Sequence, residues 1–132
     1  MSEKGLYKKI KNWAYKTYGE YDADKDSGLL KIVKLSMLGM YGEAGWQDMM
    51  IMIKDLKRYG HTILIELKNP DGTGVVSDPQ RRKYRKALGL GFAAYVTDDF
   101  DEACEVIRLH VEYAQGKVPA ARWKAGPGGI LE

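Results

Sequence analysis

The chain has 132 residues, 45% of them hydrophobic, which gives one domain with a real core and excludes intrinsic disorder of its body. Its net charge of +3 is too mild to argue for nucleic acid by itself, but the charge is segregated: Lys4, Lys8, Lys9, Lys11 and Lys16 crowd one stretch, Arg81, Arg82, Lys83, Arg85 and Lys86 another, and acid gathers at 20–26 and 98–105. The single Cys104 excludes an internal disulfide and, with only two histidines, leaves too few soft ligands for structural zinc; lacking a signal pattern or an apolar run near the roughly 18 residues of a membrane span, the chain is expected to be soluble and cytoplasmic.

Residues 3–18 place Leu6, Ile10, Trp13, Ala14 and Thr17 on one face at helical spacing with lysines opposite, predicting an amphipathic helix that Gly19 ends. A polar loop follows from Glu20 to Gly28. Asp22, Asp24 and Asp26 imitate the start of a calcium loop, but Ser27 holds the glycine position and Val33 the twelfth, where a bidentate Glu belongs, so calcium is not expected there. Leu29 to Leu35 predicts a strand. Five of the six methionines lie between Met37 and Met52 and are read as core filling.

The stretch from Gly45 to Lys68 organises the rest. Gly45 to Ile53 and His61 to Lys68 read as two strands, and Asp55 to Gly60 is short and polar enough to join them as antiparallel neighbours. Pairing Lys54 with His61 sets Asp48 opposite Leu67 and diagonal to Glu66 and Lys68; a slip of one residue sets it directly opposite one of them. Either register brings the carboxylates within roughly 5 to 8 Å at Cβ. Alternation puts Thr62, Leu64, Glu66 and Lys68 on one face and Ile63, Ile65 and Leu67 on the other.

Asn69 to Gly74 is a turn-forming loop, and its Gly-x-Gly lacks the remaining residues of a phosphate loop. A helix opens at Ser77-Asp78-Pro79-Gln80, with Ser77 or Asp78 as its cap and Ser77 and Gln80 at capping-box spacing; Gln80, Tyr84, Ala87 and Leu88 share a face, and Gly89 and Gly91 stop it. Phe92 to Thr97 predicts a strand parallel to 61–68, because a helix crosses between them. Asp98-Asp99 caps a last helix burying Ala103, Val106, Ile107, His110, Val111 and Ala114. The expected organisation is a folded domain over 1–116 and a loose glycine- and proline-rich tail over 117–132, with Trp123 in it.

Two carboxylates a few ångströms apart, with the Leu67 backbone carbonyl between Glu66 and Lys68, make a hard oxygen site that suits magnesium or manganese. Lys68 on the same side can orient water or stabilise an oxyanion, which fits phosphodiester hydrolysis. A solvated strand edge with a weak ion pair is the plainer explanation of Glu-x-Lys taken alone. The aspartate at hairpin spacing is what weighs against it.

The order helix, strand, Gly45-Trp46-Gln47-Asp48, strand, Ile65-Glu66-Leu67-Lys68, loop, Gln80 helix, Gly91-Phe92 strand and Thr97 to Ala103 helix resembles the PD-(D/E)xK nuclease superfamily, most closely its VRR-NUC family. The resemblance implies an α/β fold, a mixed α+β sheet in a restriction-endonuclease-like core of order α-β-β-β-α-β-α. It implies Asp48 and Glu66 as metal ligands for Mg2+ or Mn2+, Lys68 as the catalytic lysine, Gln80 facing the site, and Glu3, with Glu20 as the lesser candidate, as a first-helix acid. Gln80 to Tyr84 is also similar to the Gln-x-x-x-Tyr element of RecB-like nucleases in that superfamily. Viral stand-alone members cut branched DNA as homodimers, so the resemblance further implies an endonuclease of DNA recombination and repair acting on Holliday junctions or flaps, a homodimer, and a phage-encoded protein in a bacterial host. The basic run Arg81, Arg82, Arg85 and Lys86 would hold DNA phosphates. Gln47 stands where the family has proline, which supplies no ligand. A catalytically silent nucleic-acid-binding or assembly module is the competing reading.

Overall fold

The computed structural model describes residues 2–35, 47–56 and 60–118. Element order is α1 (Glu3–Tyr18), β1 (Leu30–Lys34), β2 (Met49–Ile53), β3 (His61–Leu67), α2 (Asp78–Gly89), β4 (Ala93–Thr97) and α3 (Phe100–Ala114), the order expected from the sequence. The strands form one sheet, β1-β2-β3-β4, antiparallel except for the parallel β3–β4 pair that α2 connects.

The sheet is covered on both faces, which is why β3 is buried almost throughout. Ile63, Ile65 and Leu67 pack with Met49, Ile51 and Ile53 against Leu6, Ile10 and Ala14 of α1 and Val106, Ile107 and Val111 of α3. Leu64 and Ala94 face the other way, onto Ala87 of α2 with Tyr84 and Met50 alongside. Burying a side chain of this kind contributes about 1.5–3 kcal/mol.

Register differs by one residue from the pairing of Lys54 with His61. Ile53 pairs with His61 and Met49 with Ile65, so Asp48, the next residue outward, falls opposite Glu66. Hydrophobic pattern decides this: only here do Met49, Ile51 and Ile53 share a face with Ile63 and Ile65, whereas a slip would turn one set away from α1 and α3.

Three apolar-face assignments need correction. Thr17 is exposed, because in the last turn of α1 it is Tyr18, next to Ala14 on the helix face, that packs against the core. Met52 is 41% and Leu88 45% exposed: α2 covers the β3–β4 half of its face and leaves Met52 and its own last turn open. Met37, Met40, Gly45, Trp46 and the tail from 119 onward, Trp123 included, lie outside the described residues.

Direction is the useful consequence of this topology. β1, β3 and β4 end, and β2 begins, at one edge of the sheet, and α1, α2 and α3 all begin there. Their caps are Ser2, Ser77 and Asp99, so three positive helix-dipole ends gather at the edge that carries Asp48, Glu66 and Lys68. The opposite edge is closed by the chain folding back from α1. Gly28 there has φ +86, and a Cβ on it would lie 2.3 Å from the Glu20 carbonyl oxygen, so only glycine fits.

A buried polar chain lies near the far end of β3. His110 of α3 bonds through Nδ1 to His61 Nε2 at 2.8 Å and through Nε2 to the Tyr95 hydroxyl. Burial first, then the neighbouring His61, lowers the His110 pKa from 6.5 to about 4, so it is neutral in the fold. Burial pushes Tyr95 up to about 12.

Candidate active site

Glu66 and Lys68 leave β3 toward α2 and are only 4% and 6% exposed. That degree of burial is rare for charged side chains without partners, and α2 supplies one. Its capping box fixes Gln80: Ser77 Oγ accepts from the Gln80 N–H at 3.2 Å, and the Ser77 N–H donates to Gln80 Oε1 at 3.0 Å. The same amide Oε1 accepts from Lys68 Nζ at 2.7 Å, and its Nε2 donates to Glu66 Oε1 at 3.1 Å. Capping and site roles are thus one arrangement, the helix cap acting as a clamp between lysine and glutamate.

Asp48 stands at the mouth of the next strand. Its Oδ2 accepts from the Leu67 N–H at 2.7 Å, which extends the β2–β3 pairing by a side chain. The N–H and C=O of a strand residue leave toward the same neighbour, so the Leu67 carbonyl opens on the Asp48 side. Glu66 Oε2 is buried without a hydrogen-bond donor, and the neighbouring Asp48 carboxylate can bond to it only through a shared proton. Burial, followed by the charge and hydrogen bond of Asp48, raises the Glu66 pKa far above the ordinary carboxylate range; Lys68 opposes this and Glu3 adds to it.

An orphaned buried carboxylate oxygen beside a second carboxylate marks a place where positive charge is missing. Among the described residues no three His, Cys, Asp or Glu side chains gather as cation ligands. The donor set is two carboxylates with one main-chain carbonyl, all hard oxygen, which fits magnesium or manganese completed by water.

Glu3 reaches this place as well. A cavity of about 210 Å³ at the sheet edge is lined by Glu3, Lys4, Tyr7, Lys34, Asp48 and Leu67. Glu20 does not: it sits at the far edge, paired with Lys31 at 2.6 Å. Of the basic run, Arg82, Arg85 and Lys86 are exposed on α2 and Arg81 is half-buried next to Gln80.

Sequence reasoning missed two contributors. The backbone at Gly74 lies against the Lys68 stem; a Cβ there would stand 2.7 Å from Lys68 Cβ and 3.2 Å from its Cγ and Cδ. No signal in the loop marks that contact. Lys4, Tyr7 and Lys34 form the outer wall of the cavity. Tyr7 could have been found, since it follows Glu3 by four residues on the same helix face, and Lys34 follows from its pairing with Met49 next to Asp48.

No family model and no curated protein matches the sequence. Among solved structures, one described as a VRR_NUC domain protein aligns over 100% of this chain and 97% of its own, with a TM-score of 0.61 and 18% identity. At that identity the likeness is one of architecture: the chain has the mixed α+β fold of a VRR_NUC domain.

Proposed function

We propose that this chain is a VRR-NUC nuclease: an Mg2+- or Mn2+-dependent DNA endonuclease that hydrolyses phosphodiester bonds, with branched DNA as its preferred substrate and a homodimer as its working form. The observation that carries the reading is half-buried Asp48 beside buried Glu66, whose Oε2 meets no hydrogen-bond donor and whose Oε1 is held to Lys68 through Gln80. Asp48, Glu66 and the Leu67 carbonyl would hold the cation, which supplies Lewis acidity at a phosphate and acidifies water.

The chain's own residues do the rest. Gln80 holds the Lys68 ammonium at the site without neutralising it, because the amide oxygen is an uncharged acceptor. Lys68 is thereby free to orient a water and to stabilise charge developing on a phosphate oxygen. Desolvation strengthens that interaction. The helix N-termini at the same edge favour the approaching polyanion, and the exposed arginines of α2 extend the basic surface beyond it.

Two measurements test this. Purified protein should cut flap or four-way DNA when Mg2+ or Mn2+ is supplied and stay inactive in chelator, on a panel that also holds single strands and plain duplex. Titration calorimetry should show Mn2+ uptake by the wild type and none by Asp48→Ala. Metal uptake without cutting of any substrate would favour the silent module; neither uptake nor cutting would sink the assignment.

Gly74→Ala should slow cutting roughly 10- to 100-fold by displacing the Lys68 stem. Gly72→Ala is its control. Gly72 has φ +82 but open space around it, so that change should cost about 1 kcal/mol of stability and leave the rate alone.

A further inference from the structure

A polyanion that approaches buried Glu66 and half-buried Asp48 needs positive charge to meet. The basic α2 would meet it on one side of Gln80. The cavity, however, opens on the other side, between the first turn of α1 and the end of β1. Two cations from separate elements converge there, Lys4 from α1 and Lys34 from β1. Among the described residues neither has a carboxylate within ion-pair distance, although Lys31, Lys54 and Arg108 elsewhere do. Lys34 Nζ instead lies over the Tyr7 ring, 5.1 Å from its centre, which positions the ammonium and leaves its donors available.

We propose that Lys4 and Lys34 form a phosphate-binding wall that grips the cleaved strand next to the bond being cut, with Tyr7 as the positioning residue for Lys34. This deepens the nuclease reading and rests on it: the strand runs through the α1–β1 side of the cleft, and α2 binds the remainder of the substrate. Phosphate is the recognised group, and a continuous nucleic-acid strand is its source, because the same cavity leads directly to Asp48 and Leu67.

Binding is measured first, by anisotropy of a labelled DNA in chelator across a salt series, so that the readout does not require catalysis. Lys4→Ala/Lys34→Ala should weaken binding at least roughly 10-fold and reduce the slope of log affinity against log salt by about two. Lys8→Ala/Lys16→Ala removes the same charge from exposed positions of α1 and should change affinity far less. Lys34→Arg should retain affinity, which separates a lost charge from a damaged fold. With Mn2+ the double variant should raise KM and keep kcat within a few-fold. Equal weakening by the control pair, an unchanged salt slope, or displacement of the DNA by inorganic phosphate as readily as by a competing oligonucleotide would each overturn the proposal. If the wild type cuts and the wall variant cuts with unchanged KM, the wall fails while the nuclease reading stands. If nothing cuts but the wall variant alone loses binding, the nuclease reading fails and the wall stands as a nucleic-acid site.

Discussion

Asp48→Ala and Lys68→Ala should each lower the rate of DNA cutting by at least roughly 10³-fold, while circular dichroism and the unfolding midpoint change little. The expected asymmetry comes from where these side chains spend their interactions. Asp48 contributes one hydrogen bond to the fold, from the Leu67 N–H, and losing such a bond costs about 1 kcal/mol. The Lys68 ammonium makes one hydrogen bond within the fold, to the Gln80 amide oxygen, and its stem rests against the Gly74 backbone. Glu66→Gln sharpens the test, because it should abolish cutting and yet unfold no more easily than the wild type in metal-free buffer. The substitution keeps the shape of a buried acid whose charge is opposed by burial and by Asp48, so a gain of about 1 kcal/mol is the expected direction. Stability won by destroying activity is the signature of a site held against its own preference. Retained cutting in Asp48→Ala or Lys68→Ala, or collapse of Glu66→Gln, would remove the basis for reading this edge as catalytic.

Acid should destabilise the fold through His110. Its pKa falls from 6.5 to about 4 on folding, so between those values the unfolded chain binds the proton and the folded one does not. The associated stability is present above about pH 6.5 and is lost as pH falls toward 4, by up to about 3 kcal/mol. Glu66 acts with the opposite sign, since its pKa is raised by the fold. The histidine contribution is therefore read as the difference between wild type and His110→Leu in denaturant titrations across that window. The wild-type curve should fall more steeply; parallel curves would show that His110 does not titrate there. His61 and Tyr95 pack against this ring, with Tyr113 behind His61, and burial is the main cause of its lowered pKa, with the charge of His61 second.

How much of this was legible in the residues can be judged element by element. The buried face of α3 matches in all six positions read from spacing, because helix periodicity and apolar identity there agree. The parallel run of β4 beside β3 follows from chain connectivity, and the cap of α2 falls on Ser77, one of the two residues, with Asp78, that local chemistry allowed. Register was not legible. Turn length allowed two pairings, and only the demand that Met49, Ile51 and Ile53 bury with Ile63 and Ile65 chose between them. Leu88 misled for a related reason: periodicity gives a face, but the length of sheet available beneath it sets how much of that face is covered.

By itself, then, the sequence determined the order of elements, the faces of β3 and the convergence of Asp48, Glu66 and Lys68, since these depend on alternation and short-range connection. Tertiary structure decided what surrounds them. The Gln80 clamp, the unpartnered Glu66 oxygen, the Gly74 backbone on the Lys68 stem and the Lys4–Tyr7–Lys34 wall join residues from different elements. Contacts of that kind are set by how helices seat on the sheet, a property of packing that no local periodicity encodes.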